Sequence, residues 1–174
     1  MTNQERLEHF VIRAENSCWI HSKIVETLEL YRCFDSDQLL YHLPILALMH
    51  RQLISESVWL NRLDRKVTFT HSPTRAFKSV ALDIHPIANF RKAADAYLKD
   101  ALINMSAHSL DELISYENLN GYIQSYQLAK ILMNYFNYQS YIRSKVIEKL
   151  EDLGLMLDFD DLLYPFSKNL EIID

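Results

Sequence analysis

The helix-like stretch NYFNYQSYIRSK, Asn134 to Lys145, places three tyrosines between Asn134 and Tyr141. Phenols offer hydrogen bonds and, when ionised, oxygen ligands, but a free phenol keeps its proton until a pKa of about 10. The chain has seven histidines, His9, His21, His42, His50, His71, His85 and His108, and no two stand three or four apart. His42 and His50 would lie about 12 Å apart along a helix and some 80° around it, so they cannot share an ion. A histidine-based metal site would therefore need distant residues to converge. Cys18 falls on an apolar helical stripe, where a thiol is expected to be inert. The acidic run DFDDLL lacks the ligand spacing of a calcium loop and is read as charging the start of a helix. Neither a glycine-rich phosphate loop nor a nucleophile elbow is present.

These groups need a scaffold, and composition narrows it. The 174 residues correspond to one domain, 1–174, at 49% hydrophobic and 24% charged. Only two glycines and four prolines interrupt the chain, which favours long helices over the frequent turns of a sandwich or barrel. A net charge of −5 gives no general attraction to phosphate, so nucleic acid is not an expected partner, and the local basic residues Arg62, Arg65 and Lys66 are read as a solvated helix end. With no apolar stretch of ~20 residues and no signal-like N-terminal segment, a cytoplasmic protein without membrane association is expected. Cys18 and Cys33 would sit roughly 22 Å apart on a continuous first helix. That is too far for an intramolecular disulfide.

Helical periodicity places a first helix over about 4–31, marked by Phe10, Ala14, Cys18, Ile24, Val25 and Leu28. A second, capped by Asp35 or Ser36, runs to about Leu63, with Pro44 predicting a late start or a kink. Residues 64–83 read as a long connection with some extended character around VTFT. A third helix starts at His85 or Pro86 and reaches about Ser106. A small hairpin follows, turning at Asn120 and Gly121. The last long helix covers about 126–153, ended by Gly154, and a short C-terminal helix follows Asp158 with Leu162 and Leu163. On the last helix Leu128, Ile131, Tyr135, Tyr138, Ile142, Val146 and Leu153 form the inward stripe, so Tyr138 and Ile142 are expected to face the core. The fold class expected is all-α, an antiparallel four-helix bundle.

The run LMNYFNYQSYIRSKVIEKLEDLGLMLDFDDLLYP resembles the C-terminal signature of the DinB-like four-helix-bundle family, through Asn137, Arg143, Gly154, Asp161 and Leu162. Trp19 matches the family's first-helix tryptophan, and SESVWLNRL matches its acid, tryptophan and arginine at Glu56, Trp59 and Arg62. The resemblance implies a divalent-metal site of three histidines, one on the second helix and two on the last at i and i+4, a spacing that lets both reach one ion. The two last-helix positions correspond here to Tyr138 and Ile142. The second-helix position corresponds to Arg51, with His50, its neighbour, as the alternative. None of these sets holds zinc, so the expectation is a chain that has lost the family metal site and carries no cofactor. Arg51 and Tyr138 would then face each other across a remnant pocket, as a site for a small anion or as a structural contact. The resemblance implies a homodimer, and loss of the metal histidines leads to the expectation of a non-catalytic or ligand-binding role. The alternative is an enzyme of the family's metal-dependent thiol S-transferase type, whose metal would activate a thiol nucleophile.

Overall fold

The computed structural model describes residues 1–32, 39–63, 84–118 and 120–157. Within them the chain is mostly helical, with α1 (Asn3–Arg32), α2 (Leu39–Leu63), α3 (Ile84–Ile103) and α4 (Leu128–Asp152). A 3₁₀ turn, Ala107–Asp111, leads from α3 into the two-stranded antiparallel sheet of β1 (Leu113–Glu117) and β2 (Ile123–Gln127). The expected caps Asp35 and Ser36, the connection 64–83, Cys33, Arg65, Lys66 and the acidic run with its C-terminal helix lie outside the described residues. No described helix is long and apolar enough to cross a membrane.

The inward stripe of α1 runs Leu7, Phe10, Ala14, Ser17, His21, Ile24 and Leu28, alternating steps of three and four, which keeps one narrow face toward the interior. α2 contains Pro44 five residues after its start, where the missing N–H removes a single ladder bond. α4 ends as its sequence predicts. Gly154 adopts φ 75°, its N–H reaches the Glu151 carbonyl at 2.8 Å, and the Leu155 N–H reaches Leu150 at 2.9 Å. This is the paired Schellman closure, and Leu150 and Leu155 supply its apolar contact. The hairpin pairs Ile114 with Tyr126 and Ser115 with Ser125. Its turn is closed by the Gly121 N–H on the Asn118 carbonyl at 3.0 Å, with Gly121 at φ 80°. Leu110 and Ile114 tie this region to the core.

Two apolar clusters fill the interior. The first joins Leu7, Phe10 and Ala14 to Leu60, Leu98, Leu102, Leu128 and Leu132. The second joins Ile24 and Leu28 to Ile45, Met49, Ile84, Ile87, Val146 and Leu150. α1 and α4 therefore both run from the first cluster to the second, while α2 and α3 both run back. α1 packs antiparallel on α3, where Glu15 meets Lys99 at 2.9 Å and Glu29 meets His85 at 3.7 Å. α2 packs antiparallel on α4 and parallel beside α3. The expected all-antiparallel arrangement is thus corrected to up, down, down, up. Short loops make antiparallel neighbours, but α2 and α3 are separated by 20 residues of sequence and are free of that constraint.

Candidate functional site

Between the two apolar clusters each helix interrupts its inward stripe with polar residues four apart: Ser17 and His21 on α1, Gln52 and Glu56 on α2, Arg91 and Asp95 on α3, and Tyr135, Gln139 and Arg143 on α4. The i, i+4 spacing stacks both members on one helical face, so the four helices together form one polar layer. All nine side chains are buried. Glu56 is 1% exposed and Arg91 3%, a depth at which a charge is stable only when paired and hydrogen-bonded.

Arg91 is the hub. Its Nη1 pairs with Glu56 Oε2 on α2, and its Nη2 donates to Asp95 Oδ1 one turn away at 2.8 Å. The Tyr135 hydroxyl donates to the other Glu56 oxygen. Burial works against the Arg91 charge, but Glu56 and Asp95 outweigh it and hold the proton more tightly than usual. Burial, then the Glu56 charge, pushes the Tyr135 phenol well above its ordinary range, so it stays a donor.

A hydrogen-bond chain leaves Asp95 in the other direction. His21 Nδ1 lies 3.2 Å from both Asp95 oxygens, and Gln52 Nε2 lies 3.1 Å from His21 Nε2. A carboxylate cannot donate, so Nδ1 carries the hydrogen and Nε2 accepts from the Gln52 amide. The second Gln52 hydrogen goes to Gln139 Oε1. This neutral tautomer agrees with burial, and after it the Arg91 charge, lowering the His21 pKa to about 4. Burial alone would raise the Asp95 carboxyl, yet its His21 and Arg91 contacts hold it below the ordinary value.

Beyond the Arg91–Glu56 ion pair, four buried atoms in this layer have no hydrogen-bond partner: Ser17 Oγ, Gln139 Nε2, Arg143 Nη1 and Arg91 Nε. Arg143 makes one hydrogen bond, from Nη2 to Ser140 Oγ at 3.1 Å. Burial, and then Arg91, lower its pKa to about 10, so it remains a cation at neutral pH. Cys18, half-buried at the edge of the layer, is pushed up to about 12 by burial and then by Asp95, which leaves an unreactive thiol.

The four residues expected to form a pocket differ in burial. Arg51 faces solvent, His50 and Tyr138 are half-buried, and of the four only Ile142 is in the core, at 2% exposure. The inward positions are each one residue later, at Gln52 and Gln139. Of the three tyrosines only Tyr135 enters the core, while Tyr141 is exposed. Helical spacing alone accepts Tyr138 in the inward stripe, but the structure leaves it half-buried and buries Gln139 instead. Gln139 is inside because Gln52 supplies its hydrogen bond. A usable signal was present nonetheless: each helix carries a polar pair four apart midway along an otherwise apolar stripe.

No group of three or more His, Cys, Asp or Glu is placed to hold a metal ion among the described residues. The two carboxylates of the layer, Glu56 and Asp95, are bridged by the Arg91 guanidinium, which would repel a cation, and His21 turns its Nδ1 hydrogen toward Asp95. The layer does not fit a divalent metal. It can do something else chemically: present fixed donors to an acceptor from within a buried helical core. Compared with protein-family models, with curated proteins and with solved structures, the chain matches none.

Proposed function

We propose that this is a metal-free, DinB-like four-helix-bundle protein that acts by binding a small polar molecule at its central layer rather than by catalysis. The observation that carries this reading is the set of buried donors on Gln139 and Arg143 with nothing to accept from them, in a layer whose carboxylates are both paired. A buried donor left unpaired costs about 1–3 kcal/mol, more when charged, and an acceptor-bearing ligand would offset that cost. The resemblance adds support, because Glu56 and Arg143, two of the residues that carry it, both belong to the layer. Loss of the family metal follows in either register: Arg51 or His50 with Tyr138 and Ile142, or Gln52 with Gln139 and Arg143, fails to supply three lone-pair donors suited to zinc.

The purified protein is expected to hold far less than one equivalent of zinc, nickel or manganese after expression with each supplied, and added metal should leave its melting temperature unchanged. Near-stoichiometric metal with a metal-dependent rise in melting temperature would overturn the reading in favour of the thiol-transferase alternative, because a ligand of the folded state alone must stabilise it.

The same proposal includes a cytoplasmic homodimer with no nucleic-acid or membrane partner. Leu113, Tyr122 and Ile123 on the hairpin, with Met133 and Tyr141 on α4, leave large apolar groups in solvent. Light scattering at micromolar concentration should give twice the 20.5 kDa chain mass, and a value near 20.5 kDa would remove the dimer from the proposal.

A further inference from the structure

α1 and α4 face each other across a seam of the helical core. Toward one end they are joined by Phe10 stacked on Phe136 at 5.9 Å and by Arg13, whose Nη2 donates to Asn137 Oδ1 at 3.2 Å. The two helices run parallel, so one turn beyond Arg13 and Asn137 brings the level of Ser17 to that of Tyr141, between Gln139 and Arg143 in the sequence of α4. Three of the layer's four unpartnered atoms belong to these two helices, Ser17 on α1 with Gln139 and Arg143 on α4, and the fourth, Arg91 Nε, sits on a guanidinium already paired with Glu56 and Asp95.

The charges at this seam are unequal. Glu56 is held by Arg91 and Tyr135, and Asp95 by Arg91 and His21. Arg143 has only a serine hydroxyl, although its side chain is 9% exposed. After burial itself, the strongest influence on its charge is another guanidinium, Arg91, which opposes it as Arg13 does, while Asp95 and then Tyr135 favour it more weakly than Arg91 opposes it. Burying a cation without a close counter-charge is unfavourable. Gln139 and Arg143 offer only hydrogens here, and the Ser17 hydroxyl can also donate. The matching ligand therefore accepts hydrogen bonds. A planar carboxylate fits a guanidinium fork, with donors left for the amide and hydroxyl. A dianion such as phosphate would bring a second negative charge close to Glu56 and Asp95.

Resting on the ligand-binding reading above, we propose that the α1–α4 seam is a site for a small monocarboxylate, held by Arg143 with Gln139 and Ser17 as supporting donors. The test compares sodium acetate with its uncharged isostere acetamide on the full chain, at constant ionic strength set with chloride. Thermal melts and calorimetric titration give the affinity, and the Arg143 side-chain N–H signal in nitrogen-15 spectra reports the site directly. Acetate should raise the melting temperature saturably and move the Arg143 signal, while acetamide does neither. Arg143→Met should weaken acetate binding at least roughly tenfold, and Ser17→Ala roughly fivefold, as expected for losing a charge-assisted and a neutral hydrogen bond. If Arg143→Met fails to fold, Ser17→Ala and the arginine signal decide. Equal protection by acetamide would overturn the anion assignment and leave the ligand-binding reading standing. An acetate effect that does not saturate, or that persists in Arg143→Met, would reduce it to a general salt effect and overturn the assignment. No response to either probe overturns both.

Discussion

Replacing Arg91 with methionine is expected to lower the unfolding free energy by about 3–5 kcal/mol, a large share of the total stability of a domain this size. Methionine fills most of the arginine stem, so the loss is electrostatic. Glu56 and Asp95 would both remain buried, with Tyr135 and His21 donating to them but no cation between them. Urea unfolding followed by the fluorescence of Trp19 and Trp59 measures the change. A companion variant carrying Arg91→Met, Glu56→Leu and Asp95→Asn removes the unpaired charges along with the cation. It should recover part of the loss, because an apolar or neutral replacement of a buried ion network is often close to neutral. The non-additivity between Arg91→Met and Glu56→Leu, read from a double-mutant cycle, gives the coupling. If Arg91→Met costs less than about 1 kcal/mol, the layer is hydrated and the buried-network description fails.

The same residues explain what could be read from the sequence. Helix extents, the hairpin and the Gly154 terminus were legible because each rests on local information: apolar spacing, scarcity of breakers, and a glycine free to take positive φ. The polar layer was not, because its pairings are remote in sequence. Glu56 and Arg91 are 35 residues apart, and His21 and Asp95 are separated by 74. Arg91 and Asp95 are an i, i+4 pair that would look identical on an exposed helix face, where it contributes only a few tenths of a kcal/mol. Only the helices on either side turn it into the centre of the core. The helix directions were hidden for a related reason, since no local pattern fixes whether α2 and α3 run together or oppositely.

Acidification should expose His21 as the weak point of the layer. Its pKa falls from an ordinary 6.5 to about 4 on folding, so between these values the unfolded chain binds a proton that the native ring refuses. Stability from this group is therefore fully present above pH 6.5 and is lost as pH falls toward 4, at up to about 1.4 kcal/mol per pH unit and about 3 kcal/mol in all. The sign follows from the surroundings. Burial and the Arg91 and Arg143 guanidiniums disfavour imidazolium, and together they exceed the attraction of Asp95 on α3. From α2, Gln52 needs the bare Nε2 as its acceptor, so protonation also breaks the link to Gln139. Asp95 adds a separate loss at lower pH. Its carboxyl is held below 3.8, so its contribution is present above that value and disappears as pH falls through the lowered folded value. The control is His21→Asn, whose amide N–H takes over donation to Asp95 without a titrating ring. The variant should be less stable near neutrality, and its disadvantage should shrink by roughly 3 kcal/mol as both proteins are unfolded in urea at successive pH values down to 4. Contributions common to both proteins cancel in the difference. Stability curves for the two proteins that run parallel between pH 6.5 and 4 would show that His21 is protonated as easily in the fold as outside it, and the neutral Asp95–His21–Gln52–Gln139 chain would have to be abandoned.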